Sequence, residues 1–276
     1  MKTKQFKTAP LPFLGQKRRF INQVKEVIKD CPNETIYVDL FGGSGLLSYT
    51  IKQEKPNAKV VYNDFDNYSQ RIENIDYTNA LISDIRLIVE DCPKDKKIAP
   101  EVKQSILERV KHEERTTGYV DYITVSSSIL FSMKYSTSFD DLEKQTFYNC
   151  VRQSDYDATG YLDGLTVVSK DYKQLYEEYK GVPNILFLVD PPYLSTDVSA
   201  YKENYWKLTD YLDVLNVLDG SNYIYFTSNK SQIVELCNWL DTRKSVGNPF
   251  NGAKQSSMVN AVNYSSSYTD IMMYKL

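Results

Sequence analysis

Short β-branched and aromatic runs alternate with helical stretches along this chain, and one long polar segment interrupts them; that pattern restricts the fold more than any other feature. Residues 35–41 (TIYVDLF) read as a strand that ends in Gly42-Gly43-Ser44-Gly45, and residues 46–54 read as a helix closed by Lys55-Pro56-Asn57. A second strand, 59–62, runs into Asn63-Asp64. From about residue 69 to residue 161 the chain is polar and helical, with a Ser-rich patch at 126–128. Alternation then resumes: strand 165–168, helix 171–179, strand 184–189, helix 209–218, strand 222–227, helix 231–240, and strands 242–246 and 270–274. Strands separated by helices imply a mostly parallel sheet covered on both faces. The expectation is therefore an α/β fold with a seven-stranded sheet, its last two strands antiparallel across a Ser-rich loop. Residues 1–68 and 164–276 would form the sheet domain, and 69–163 an inserted helical lobe with 17 acidic against 12 basic residues. Such a lobe either recognises a target or only caps the core.

Composition narrows the function classes. A chain of 276 residues can bury one large core with a smaller lobe beside it. No run of 18 apolar residues exists, so no membrane-spanning helix is expected. Residues 1–15 carry lysines without an apolar stretch behind them, unlike a secretory signal, which points to a cytoplasmic protein. Cys31, Cys92, Cys150 and Cys237 are scattered and read as reduced thiols. The one histidine, His112, lies in a charged helical stretch, so neither a histidine triad nor a metal site is expected. A net charge of −3 and a pI near 5.4 weigh against a phosphate-backbone partner, although a local basic cleft can sit on an acidic whole. The run Lys17-Arg18-Arg19 could meet phosphate or be a solvated surface.

In an open parallel sheet, ligands bind beyond the carboxyl ends of the strands, where the loop Asp39-Leu40-Phe41-Gly42-Gly43-Ser44-Gly45 would lie. Its glycines permit a tight turn and close approach of a ligand to the backbone. No Gly-Lys-Ser/Thr ending follows, which argues against a phosphate-cradling P-loop. Asp64 stands at the end of the second strand, nineteen residues after Gly45, where an ionised carboxylate can accept both hydroxyls of a ribose. Loop and acid together favour a nucleoside-containing ligand, with NAD and S-adenosylmethionine both allowed.

The chemistry is decided by the apolar strand 184–189 (NILFLV) running into Asp190-Pro191-Pro192-Tyr193. Two consecutive prolines donate no N–H and cannot extend a central strand. They hold a stiff corner that aims the Asp190 side chain and the Pro191 carbonyl into the cleft. One carboxylate oxygen and one carbonyl can accept the two hydrogens of an exocyclic amine and favour a pyramidal nitrogen whose lone pair faces an electrophilic methyl. Tyr193 would offer a flat face to an unstacked base.

The order of these segments resembles the Dam-type (alpha-class, D12) family of DNA adenine-N6 methyltransferases. Phe13-Leu14-Gly15-Gln16-Lys17 is similar to that family's N-terminal cofactor segment, usually Trp-Ala-Gly-Gly-Lys, which implies cofactor contacts from Phe13, Gly15 and Lys17. Asp39, Phe41, Gly43, Ser44 and Gly45 resemble the glycine loop around the methionine moiety, and Asp64 the ribose-binding acid. Ser169-Lys170-Asp171-Tyr172 sits where the family surrounds the cofactor adenine, which implies Asp171 and Tyr172. Asp190, Pro191, Pro192 and Tyr193 would be catalytic, with Asp190 also beside the cofactor. Phe13, Gln16 and Leu40 depart from the family's usual Trp, Gly and Pro, and the middle segment lacks its Asn- and Arg-bearing recognition pattern. The resemblance implies a Rossmann-like S-adenosylmethionine-dependent methyltransferase fold, S-adenosylmethionine as donor, a flipped adenine of double-stranded DNA as acceptor and no metal, and it leaves room for a restriction endonuclease partner. N4-cytosine methylation, adenine in RNA and a non-catalytic nucleic-acid-binding homologue stay open. A nicotinamide dehydrogenase would leave Asp190 to Tyr193 without a task.

Overall fold

A computed structural model of the chain describes residues 5–131, 134–192, 206–242, 247–263 and 266–276. Along it run α1 (Ile21–Lys29), β1 (Ile36–Asp39), α2 (Leu46–Glu54), β2 (Val60–Asn63), α3 (Tyr68–Glu73), α4 (Ile75–Ile88), α5 (Pro100–Thr117), α6 (Tyr122–Ser127) and α7 (Phe139–Lys144). There follow β3 (Thr166–Val168), α8 (Tyr172–Tyr179), β4 (Ile185–Val189), α9 (Leu208–Leu218), β5 (Tyr223–Ser228), α10 (Ile233–Leu240), β6 (Lys254–Asn263) and β7 (Ser266–Lys275). They fall into two compact units, residues 17–66 with 162–276, and residues 1–16 with 67–161.

The first of these units carries a seven-stranded sheet in the order β3-β2-β1-β4-β5-β7-β6. β1 to β5 are mutually parallel, and β7 lies antiparallel between β5 and β6. The expected mostly parallel sheet of seven strands is present. Successive side chains of a strand face opposite sides, and here both sides are dry. Phe187 and Val189 join Val38, Leu175, Val214 and Leu218 in one core, while Leu186 and Leu188 join Tyr37, Val24, Ile28 and Ile51 in the other. α8 and α9 thus cover one face, α1 and α2 the other. α1 has no counterpart in the sequence reading, although Val24, Val27 and Ile28 are buried at a helical spacing.

One strand stands elsewhere than expected. Thr242 lies in the turn after α10, residues 243–246 fall outside the described residues, and the sixth strand is β6 at Lys254–Asn263. Its residues 254–261 are largely exposed, and among the described residues it pairs with β7 alone, so it lacks the apolar signature of a strand buried on both faces.

The other unit is helical and has a core of its own, in which Leu81, Ile82 and Ile85 of α4 meet Ile106 and Val110 of α5, Val125 of α6 and Leu142 of α7. Residues 1–16 group with it, whereas the sequence reading placed 1–68 with the sheet. The reason lies in α3. The Leu11 N–H donates to the Tyr68 hydroxyl at 2.9 Å, that hydroxyl faces the Leu11 carbonyl at 3.1 Å, and Arg71 donates to the Pro12 carbonyl at 2.9 Å. Arg71 is also ion-paired with Asp121 at 3.0 Å, and both side chains are buried.

Candidate active site

The strand order reverses between β1 and β4: from β1 the chain continues to β2 on one side, and from β4 to β5 on the other. Such a switch point opens a crevice at the carboxyl ends of the strands. Asp39 is the last residue of β1, and Asp190 follows the last residue of the adjacent β4. Two carboxylates are thereby set side by side at the reversal.

Their surroundings differ. Asp190 Oδ2 receives the Lys17 ammonium at 2.6 Å, with the lysine side chain 8% and the aspartate side chain 17% exposed. Lys17 enters from the turn before the short 3-10 helix Arg18–Phe20 and also lies 5.8 Å over the Phe226 ring. Burial raises the Asp190 pKa above the ordinary carboxylate value; the charge and hydrogen bond of Lys17 oppose this, and the charge of Asp270 adds to it. Asp39 is 1% exposed and accepts a 2.7 Å hydrogen bond from Ser48 on its Oδ2. Burial pushes its pKa up to about 7; the Ser48 hydrogen bond opposes, the charge of Asp190 adds, and the Phe41 N–H and Lys17 hold it down.

The glycine loop leaves β1 with Gly43 at φ 48° and Gly45 at φ 72°, a backbone region that favours glycine. A Cβ on Gly42 would stand 2.3 Å from the Tyr62 ring, so this position admits no side chain. The Tyr62 hydroxyl lies 2.7 Å from the Gly43 carbonyl and 3.0 Å from Asp64 Oδ1, joining the loop to the expected ribose acid, itself 3% exposed. Phe41 packs on Tyr172 with ring centroids 4.8 Å apart, and Trp206 stacks on Tyr172 at 5.6 Å.

The structure therefore gathers Lys17, Asp39, Phe41, Gly43, Ser44, Gly45, Asp64, Tyr172 and Asp190 at one end of one sheet. Asp171 stands there too, exposed and capping α8 by accepting the Lys173 N–H at 2.8 Å. Pro191 is buried and Pro192 exposed just past β4, and Tyr193 lies outside the described residues. Phe13 and Gly15 belong to the other unit, where Phe13 meets Tyr68 edge to face at 5.8 Å. Lys17 points inward and Arg19 donates to the Val259 carbonyl at 2.7 Å, so Lys17-Arg18-Arg19 is not one outward basic patch.

Sequence reasoning passed over Tyr62, Trp206 and Phe65, an aromatic that is 65% exposed directly after Asp64. The signal was an aromatic on either side of Asn63-Asp64. Among the described residues no group of three His, Cys, Asp or Glu could hold a metal ion, and no helix is long and apolar enough to cross a membrane.

The donor set can be tested against the two nucleoside ligands. The Asp190 charge raises the cost of ionising Asp39, and the lysine beside them is already paired. A pyrophosphate would add negative charge to that pair. A cationic ligand would relieve it, which fits S-adenosylmethionine and disfavours NAD.

Residues 13–244 match the model of the D12 class N6 adenine-specific DNA methyltransferase family. The chain is also 40% identical, over 99% of its own length and 93% of the other's, to a Haemophilus influenzae protein named "Putative methyltransferase".

Proposed function

Because this chain belongs to the D12 class N6 adenine-specific DNA methyltransferase family, and is thus a methyltransferase, we propose that it transfers a methyl group from S-adenosylmethionine to the N6 amine of an adenine flipped out of double-stranded DNA. The observation that carries this reading is the Asp190 carboxylate at the sheet's switch point, held by Lys17 and next to Asp39.

S-adenosylmethionine, when bound, supplies an electrophilic methyl on a positively charged sulfonium. Asp64 would accept the ribose hydroxyls, the loop from Asp39 to Gly45 would follow the methionine end, and the packed pair Phe41 and Tyr172 would form one wall beside the adenine ring. Asp171 would bear on that ring's surroundings only from the helix cap it occupies.

The acceptor is handled by Asp190 and the corner after it. Lys17 engages Oδ2, so Oδ1 takes one hydrogen of the N6 amine and the Pro191 carbonyl the other. Pro192 stiffens the corner, and Tyr193 would lie against the flipped base. Two oriented acceptors localise the nitrogen lone pair without a metal or a covalent enzyme intermediate, and the displaced proton passes to water once nitrogen has gained its fourth bond. Positioning and fixed electrostatics supply the acceleration. The helical unit, residues 67–161 with 1–16, is the candidate for target recognition. A genomic substrate implies action in the cytoplasm, alone or beside a restriction endonuclease.

Base-resolved sequencing of unmethylated genomic DNA after incubation with purified protein and S-adenosylmethionine tests the reading. N6-methyladenine at a defined sequence is the expected outcome. N4-methylcytosine, or methylation of RNA only, would replace this substrate with another, and no modification of any kind would leave a binding protein.

A further inference from the structure

Asn63, the last residue of β2, joins the three loops that leave β1, β2 and β3. Its side-chain amide donates to the Leu40 carbonyl at 3.0 Å and to the Lys170 carbonyl at 2.9 Å, while its oxygen accepts the Lys170 N–H at 2.9 Å. Both N–H donors and the carbonyl are used, and the residue is 1% exposed. One partner begins the glycine loop. The other precedes Asp171 and Tyr172. Backbone register brings Asn63 opposite Val168, and the next residue, Asp64, donates its N–H to the Val168 carbonyl at 2.7 Å.

We infer that Asn63 is a positioning residue of the cofactor site, fixing the glycine loop against the loop before α8 so that Phe41 and Tyr172 stay packed together as one wall of the site; this rests on the S-adenosylmethionine reading above. The residue type matters because two carbonyl oxygens and one N–H converge on it. Only a side chain with two donors and an acceptor in one plane satisfies all three. Aspartate has nearly the same shape but, when ionised, accepts only, and it would face two carbonyl oxygens. Burial makes that mismatch costly.

Calorimetric titration of the purified full-length chain with S-adenosylmethionine, combined with steady-state kinetics, tests the inference. Asn63→Asp should weaken cofactor binding by about tenfold or more, the loss equivalent to one or two hydrogen bonds. Its KM for the cofactor should rise in step, with kcat at saturating cofactor changed by less than about threefold. A merely structural asparagine would lower the melting midpoint and the active fraction but leave the Kd of the folded protein alone. A folded Asn63→Asp chain that binds within about twofold of wild type would therefore overturn the proposal, as would a fall in kcat with unchanged Kd. Should the charged variant not fold, Asn63→Ser removes the bridge without adding charge and is judged by the same criteria. If the wild-type chain itself takes up no S-adenosylmethionine, the donor reading fails and this inference falls with it.

Discussion

Asp190 and Asp39 are both carboxyls whose burial raises their pKa, and pH separates their effects. Lys17 lowers the Asp190 pKa against the effect of burial. In Lys17→Met the burial is uncompensated, so the acidic limb of the kcat profile should move to higher pH, with the rate loss largest on the acidic side and partly recovered as pH rises. An unmoved limb would mean that Asp190 does not depend on its lysine. For Asp39 the folded-state pKa of about 7 exceeds the ordinary 3.8. A raised carboxyl pKa means that the folded state holds the proton more tightly. Its contribution to stability is complete below about pH 4 and is lost as pH climbs through about 7, by at most roughly 4 kcal/mol. Urea unfolding at pH 5 and pH 8 should show this slope in wild type and a smaller one in Asp39→Asn. A bound cation favours ionised Asp39, so S-adenosylmethionine affinity should increase across the same interval.

At the scale of elements, what the sequence revealed depended on how local the determining contacts are. The apolar run of β4 and the glycines after β1 announce themselves by residue type, because burial on both faces and positive φ each demand a particular chemistry. The same holds for Asp190, placed by a strand and two prolines that adjoin it. β6 escaped notice because it is largely exposed and, among the described residues, pairs on one side only. The role of Asn63 escaped because its partner Lys170 lies 107 residues away, and the pairing of Lys17 with Asp190 because nothing local to either residue signals it. The grouping of residues 1–16 with the helical unit has the same origin, since Arg71 and Tyr68 of α3 reach back to Leu11 and Pro12. This network yields its own prediction. Asp121 is buried against Arg71 and also accepts the Thr124 N–H at 3.0 Å at the start of α6. Asp121→Ala would strand a buried guanidinium and remove a helix cap, costing about 3–5 kcal/mol of helical-unit stability in urea; a loss below about 1 kcal/mol would show that the pair is well solvated after all.

For the molecule as a whole, the proposed function asks an acidic chain to act on a polyanion. A net charge of −3 offers no general attraction to DNA, so binding must draw on locally placed cations. Affinity for a duplex should then fall with salt, by a slope of about −0.9 in log–log form for each phosphate neutralised. Fluorescence anisotropy between 50 and 200 mM salt, roughly the range over which such contacts are lost, measures that number, and a flat response would rule out contact with the phosphate backbone. In the proposed reaction Asp190 presents an oxygen to an amine, and that role can be removed with little change of shape. Asn at 190 can turn a donor towards that amine and carries no charge, so Asp190→Asn, compared with wild type at saturating S-adenosylmethionine, should transfer methyl groups to duplex adenine at least about a hundredfold more slowly. Single-turnover transfer from labelled S-adenosylmethionine by the two proteins, each saturated with cofactor, is the measurement; equal rates would contradict the account.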